Sequence, residues 1–310
     1  MDMKRLRAPI AALLFAANTV VHVAVLLVVA LFKALLPVRA MRRFFDRVLM
    51  SIAASWIDFD SWMIRAMTRT RFVVQTPPTL RLDGHYLVMA NHQSWVDIPV
   101  LQAVLNRKVP LLRFFLKSQL FWVPLLGLAW WALDFPFMKR YSREMLSKRP
   151  ELAGRDIAAT RRSCAKFNDI PVSVMNFVEG TRFTPVKHER QASPFTHLLK
   201  PKAGGVGFVL DAMGDALHSL LDITLVYPHG RPTFADLFSD RVPEVLVRVV
   251  ERPIPAELIG GDYEKDPQVR VRVQRWINEI WREKDATIDE LLSKAESGQA
   301  VTIARRAQAP

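Results

Sequence analysis

Tyr86-Leu87-Val88-Met89-Ala90 runs straight into Asn91-His92-Gln93-Ser94-Trp95-Val96-Asp97-Ile98-Pro99. Five consecutive apolar residues that end at a polar loop read as a strand covered on both faces, the kind found inside parallel sheets. The residues after the loop read as a helix over Ile98 to Asn106. Ser94 and Asp97 fit an S-x-x-D capping pattern, which would occupy the carboxylate with backbone. Pro99 argues against a helix capped by Ser94, because it would then lie beyond the first turn, where a missing N–H and a ring clash are costly. A start at or near Asp97 puts Pro99 in the first turn. Gln93 to Val96 are then a loop that folds His92 back onto Asp97.

Such a pair is a base and its orienter. A carboxylate bonded to one imidazole nitrogen fixes the tautomer and stabilises the imidazolium, so the other nitrogen can take a proton from a hydroxyl or water. No serine or cysteine nucleophile is needed when the electrophile is already activated, as in a thioester.

Outward from this junction the same alternation continues. Phe72 to Gln75, Leu111 to Leu116, Leu133 to Met138, Val172 to Val178, Ile223 to Tyr227 and Val245 to Val250 read as strands. Arg155 to Phe167 and Gly205 to Met213 read as helices. The expected fold is therefore α/β, a sheet flanked by helices. Val273, Trp276, Ile277, Ile280, Trp281, Ile288, Leu291 and Leu292 recur at helical spacing, so Pro267 to Ala295 is expected to be an amphipathic helix packed on the domain or on the membrane, the domain being favoured. The tail from Glu296 is expected to be mobile.

The N-terminal region differs in kind. Ala8 to Phe32 contains no Asp, Glu, Lys or Arg, and it is flanked by Lys4, Arg5 and Arg7 on one side and Lys33, Arg39, Arg42, Arg43 and Arg47 on the other. A helix of that length, at about 1.5 Å per residue, exceeds the roughly 30 Å of hydrocarbon in a bilayer. It is too long for a signal-peptide apolar region. Asn18, Thr19 and His22 make it less apolar than a lipid-facing helix and leave room for a re-entrant or helix-hairpin anchor, with Phe44 to Met67 as a second, amphipathic helix. The larger basic cluster follows the apolar run, which puts the rest of the chain in the cytoplasm. The expected division is an anchor over 1–45, an interfacial helix over 46–70, a catalytic domain over 71–265 and a helix with tail over 266–310.

Composition agrees with this reading. The 43 Lys and Arg against 30 Asp and Glu give a charge of +13, yet half of the 310 residues are apolar, which excludes a disordered chain. Nucleic-acid binding is not expected, because much of the basic excess lies beside the anchor and no recognition module is visible. Cys164 is the single cysteine, so no internal disulfide or cysteine zinc site is available. There is no GxGxxG, Walker loop, HExxH, GxSxG or CxxC. Gly204, Gly205 and Gly207 after Lys202 fit tight packing as well as phosphate binding.

Asn91-His92 with Asp97, followed by Phe177-Val178-Glu179-Gly180-Thr181-Arg182-Phe183-Thr184 at the end of a later strand, resembles the paired blocks of the glycerolipid acyltransferases, in particular the 1-acylglycerol-3-phosphate acyltransferases. The resemblance covers roughly Tyr86 to Pro228. Between the two blocks the family has a segment usually opened by Gly and closed by Arg. Here Asp134 replaces that Gly, with Phe137, Met138 and Arg140 following. Leu225-Val226-Tyr227-Pro228 is similar to the fourth block. The resemblance implies a glycerol-3-phosphate acyltransferase-like fold and a membrane-bound enzyme that moves a fatty acyl group from acyl-CoA or acyl carrier protein to the sn-2 hydroxyl of lysophosphatidic acid. It implies His92 as general base and Asp97 as its orienter. Glu179, Gly180, Thr181 and Arg182 would shape the acceptor site, with Arg182 holding the phosphate, Arg140 as a second clamp and Lys202 as a third candidate that fits a solvated surface lysine better. No metal, bound cofactor or covalent acyl-enzyme is required, and the partners are membrane lipids, the lysophospholipid and the acyl carrier. The implied location is a bacterial inner membrane, with the catalytic domain on the cytoplasmic face. Phe121 to Leu133, with Trp122, Leu125, Leu126, Leu128, Trp130 and Trp131, is expected to line an acyl groove, dip into the membrane or pack in the core. An acyltransferase acting on another lysophospholipid, a thioesterase and a non-catalytic membrane-surface protein remain alternatives.

Overall fold

The computed structural model describes residues 3–36, 38–138, 167 and 170–297. In chain order the elements are α1 (Met3–Leu35), α2 (Arg39–Met67), β1 (Arg71–Gln75), β2 (His85–Ala90), α3 (Asp97–Leu105), β3 (Leu112–Phe114), β4 (Leu116–Lys117), α4 (Leu126–Ala132) and β5 (Phe137–Met138). They continue with β6 (Val172–Phe177), α5 (Pro185–Gln191), α6 (Gly204–Met213), β7 (Ser219–Val226), α7 (Phe234–Phe238), β8 (Glu244–Arg252) and α8 (Pro267–Glu296).

The main sheet has the order β1-β8-β7-β2-β6-β3. Strand β2 pairs in parallel with both β6 and β7, while β7 and β8 are antiparallel. Alternation within the strands sorts their side chains into two cores. Leu87 and Met89 of β2, Val172 and Val174 of β6, and Leu220 of β7 pack under α6 and α8. Tyr86, Val88 and Ala90 of β2, Met175 of β6, and Leu221, Ile223 and Leu225 of β7 pack on the opposite face with α3 and α7. Both faces of the central strands are therefore dry, as their unbroken apolar runs require. The periodic apolar stripe of α8 (Val269, Val273, Ile277, Ile280, Trp281, Ile288, Leu291) faces this core and not a lipid surface.

The expected strand over 133–138 does not form. The chain turns at Leu133 and Asp134 after α4, and only Phe137 and Met138 are extended, paired with β4 in a separate two-stranded sheet. The cause is local: Asp134 has φ = +58°, a left-handed conformation open to glycine and tolerated by Asp, and one that no strand contains. Asp134 thus adopts a glycine-type conformation where the resemblance implies a glycine. The expected strand over 111–116 is likewise divided between β3 and β4. The expected helix over 155–167 and the tail beyond Ser297 lie outside the described residues.

Helices α1 and α2 form an antiparallel hairpin. Asn18 donates to Trp56 O and to Asp60 Oδ1 at 2.8 Å, and His22 stacks on Trp56. The second helix begins at Arg39, five residues before the expected start. One side of α1 is held against the hairpin partner and the sheet domain by Ala11, Val23 and Leu26. The other exposes Ile10, Leu13, Val20, Val21, Val28, Leu31, Phe32 and Leu35. Within 121–133, Ala129 and Leu133 pack in the core between α1 and α2, whereas Trp122 and Trp131 are exposed.

A buried ion pair joins α8 to the sheet. Lys284 is 1% exposed, yet its Nζ lies 2.5 Å from Asp222 Oδ1 on β7 and donates to Ile223 O at 2.6 Å. Burial pushes the ammonium below its ordinary range and the Asp222 charge pulls it back. Asp222 Oδ2 also accepts from Arg252 Nε at 3.1 Å, so loss of Lys284 leaves the buried carboxylate one cation in place of two. Replacing Lys284 and Asp222 together with apolar groups is milder and leaves Arg252 with Glu283. Lys284→Met is expected to cost measurably less in urea unfolding of detergent-solubilised protein than the roughly 3–5 kcal/mol of a buried charge left wholly unpaired, because Arg252 remains beside Asp222. The double change Lys284→Met with Asp222→Leu should cost less than that single change, and a double variant less stable than Lys284→Met would contradict the assignment.

Candidate active site

The site is built where the parallel strands β2, β6 and β7 end side by side, the usual place for ligand-binding loops on such a sheet. Asn91, the first residue after β2, is fully buried and spans to β7. Its Nδ2 donates to Leu225 O at 2.8 Å, and its Oδ1 accepts from Leu225 N at 2.9 Å. The next residue, His92, is held at both ends of its backbone. Its N–H donates to Glu179 Oε1 at 3.0 Å, and its carbonyl accepts from Phe183 N at 2.8 Å.

Helix α3 starts at Asp97 with Pro99 in its first turn, and the loop before it brings His92 back to the helix. His92 Nδ1 is 2.8 Å from Asp97 Oδ2. That oxygen also accepts from the backbone N–H groups of Gln93 at 2.6 Å and Ser94 at 2.9 Å, while Oδ1 accepts from Tyr227 Oη at 2.7 Å. Four donors thus converge on a carboxylate that has no exposure to solvent. Burial pushes the Tyr227 phenol well above its ordinary range, and the Asp97 charge acts in the same direction, so the phenol stays a donor. Facing a carboxylate, His92 Nδ1 is the protonated nitrogen. Nε2 then carries the free lone pair. The His92 ring stacks on Phe177 with centroids 4.0 Å apart, and its side chain is 14% exposed, so the imidazole is rigid but not sealed.

The loop after β6 supplies the second wall. Glu179 is buried and accepts from His92 N and from Leu199 N at 3.2 Å. Burial pushes its carboxyl up to about 8, against the pull of these two backbone bonds. Gly180 has φ = +70°, and a Cβ there would lie 3.3 Å from Lys202 Nζ, so the turn needs glycine and sets Lys202 beside it. Thr181 Oγ1 accepts from Lys187 Nζ at 2.7 Å, and the same ammonium donates to Arg182 O at 3.0 Å, which ties the loop to α5. The Arg182 guanidinium lies 4.2 Å from the centre of the exposed Trp95 ring. Arg231, on the loop after β7, lies 4.0 Å from the centre of the Phe183 ring.

The structure therefore brings His92, Asp97, Glu179, Gly180, Thr181, Arg182 and Lys202 together at the adjoining ends of β2 and β6. Arg140 lies outside the described residues. Tyr227, Asn91 and Arg231 were not singled out from the sequence. Asn91 and Tyr227 stood inside recognisable blocks, but Tyr227 acts on a residue 130 positions away, and local spacing carries no trace of that contact.

Known proteins resemble this chain in sequence and in fold. The family described as Acyltransferase matches residues 71–228. The 1-acyl-sn-glycerol-3-phosphate acyltransferase 3 of Arabidopsis thaliana is 24% identical over 256 residues, which are 77% of this chain and 61% of that protein. Lysocardiolipin acyltransferase 1 of Danio rerio is 24% identical over 276 residues, 84% of this chain and 63% of its own. The chain thus spans about three fifths of the length of these curated relatives. The crystal structure of the 1-acyl-sn-glycerophosphate (LPA) acyltransferase of Thermotoga maritima superposes with a TM-score of 0.51 at 17% identity, covering 90% of this chain and 98% of that one, a likeness of fold. The family match takes in more than half of the chain and all three strand ends that carry the His92 site, and on that match the chain belongs to the acyltransferase family.

Proposed function

We propose that this chain is a membrane-bound O-acyltransferase that moves a fatty acyl group from an acyl thioester to the free sn-2 hydroxyl of lysophosphatidic acid, giving phosphatidic acid. The observation that carries the reading is the His92 and Asp97 pair, with Nε2 left free and an uncommitted guanidinium on the adjoining loop. A bidentate guanidinium suits a phosphomonoester. The names of the relatives in Arabidopsis and Thermotoga agree with that acceptor.

In this mechanism acyl thioester and lysolipid are held together. Arg182, with Lys202 beside Gly180, grips the phosphate and presents the hydroxyl to His92. Nε2 removes the hydroxyl proton as the oxygen attacks the thioester carbonyl, and the imidazolium formed is stabilised by Asp97 and by the Phe177 ring face. Collapse of the tetrahedral intermediate breaks the C–S bond, and the departing sulfur takes the proton back from Nε2. The donor is acyl-CoA or acyl carrier protein. Glu179 acts on the backbone of His92 and Leu199, so its role is to hold the two walls in register.

The N-terminal hairpin supplies the membrane contact. Helix α1 contains a stretch, Leu6–Leu35, with mean hydropathy 2.4 and only 17% of its most apolar window buried. Both of its ends are held by ion pairs, Arg7 to Asp240 at 2.6 Å, and Lys33 to Asp46 of α2 at 2.5 Å and to Asp134 after α4 at 3.4 Å. A helix about 50 Å long that is tied down at both ends lies along the domain. We read it as seated in one leaflet, with the sheet domain beside it and the basic residues Arg42, Arg43 and Arg47 toward anionic headgroups. The bacterial inner membrane and its cytoplasmic face fit this placement.

His92→Ala is expected to lower acyl transfer to lysophosphatidate at least a hundredfold with the fold retained, as loss of a general base does. Labelled acyl-CoA and several lysolipids offered to membranes of both forms provide the measurement. Equal product from both would reject the base, and acyl release unaffected by added lysolipid would point to a thioesterase. Tyr227→Phe, which leaves Asp97 with three donors, should lower kcat about tenfold and leave KM near the wild-type value. A change confined to KM would contradict the positioning role. In a Cys164→Ser background, Ala8→Cys and Leu36→Cys should both react with an impermeant maleimide from the same side of sealed vesicles. Labelling from opposite sides would show that α1 spans.

A further inference from the structure

We propose that Arg231 is a second anion-gripping guanidinium of the acceptor site and makes a dianionic phosphomonoester the preferred head group over a phosphodiester. The inference rests on the lysophosphatidate reading above and deepens it.

The loop that leaves β7 turns at Gly230, where φ is +102°, and lays Arg231 across Phe183. Phe183 is the residue whose N–H holds the carbonyl of His92. The next residue, Pro232, accepts a hydrogen bond from Ser94 Oγ in the His92 loop. Arg231 thus rises from a loop sewn to both walls of the site. Its placement mirrors that of Arg182 on Trp95. In each case an aromatic ring of a neighbouring loop takes the face of the guanidinium, and the N–H donors along its edge remain available.

Among the described residues nothing pairs with those edges. Arg71, Arg248 and Arg252 each pair with a carboxylate within 4 Å. Among the described residues Arg182 and Arg231 have no such partner. The acidic group whose charge Arg231 feels is Glu179, and burial pushes that carboxyl up to about 8, so near neutral pH little of the Arg231 charge is cancelled. Two guanidinium forks on the loops that flank His92, each stacked on a ring, match a phosphate with three terminal oxygens and two charges. A phosphodiester offers one charge and fewer oxygens, and it gains less from the second fork.

The test compares the wild type with Arg231→Gln and Arg231→Lys on lysophosphatidate and on lysophosphatidylglycerol in mixed micelles. For Arg231→Gln the expected result is a KM for lysophosphatidate raised about tenfold with kcat within twofold, and kcat/KM for the diester within twofold. Arg231→Lys should recover part of the loss, since it keeps the charge without the planar fork. Equal losses on both head groups would show that Arg231 only braces Phe183, and an unchanged lysophosphatidate KM would overturn the proposal outright. Equilibrium binding of an alkyl-ether lysophosphatidate, measured by calorimetry, separates this inference from the catalytic one. Weaker binding by Arg231→Gln supports the grip even if the wild type shows no transfer, a result that would sink only the reaction assigned above. Equal binding by both forms would sink the grip whatever the turnover.

Discussion

A carboxylate with no access to water organises this protein. Asp97 sits at the first turn of α3 and gathers a phenol, two backbone amides and an imidazole, elements drawn from β7, the β2 loop and the helix itself. A buried charge left short of partners is costly, so the surrounding chain has little freedom to move away from it. The helix start, the curl of Gln93 to Val96 and the tautomer of His92 all follow from satisfying that one group.

The rest of the architecture serves to bring those donors together. Parallel pairing of β2 with β6 and β7 aligns three strand ends, and Asn91 bonds the middle loop to β7 as an extra rung of the ladder. Glu179 performs the corresponding task on the other side, through the backbone of His92 and Leu199. Cation and ring contacts then join the loops in sequence, Arg182 on Trp95 and Arg231 on Phe183. The geometry around His92 is held by backbone groups and stacked planes, and among the described residues nothing pairs with the edges of the two arginines.

What the sequence disclosed follows from how local each signal is. The strand at Tyr86 to Ala90 and the helix start near Asp97 were legible because apolar runs and the position of Pro99 act over a few residues. The folding of His92 onto Asp97 was legible for the same reason. The segment over 133–138 was misread as a strand because its apolar residues hide a left-handed Asp134, which only the resemblance hinted at through its missing glycine. Tyr227 and Arg231 escaped notice because their partners lie in other loops, brought close by strand order. The run of α1 along the domain was likewise out of reach, since Arg7 finds Asp240 and Lys33 finds Asp134 over a hundred positions away, although Lys33 also pairs with the nearby Asp46.

The central claim is that Asp97 holds His92 in the form whose Nε2 accepts a proton. Nitrogen-15 NMR of selectively labelled histidine in detergent reads this directly. The account predicts a neutral His92 protonated at Nδ1, with a strongly deshielded ring proton that disappears in Asp97→Asn. A neutral His92 protonated at Nε2 would contradict it.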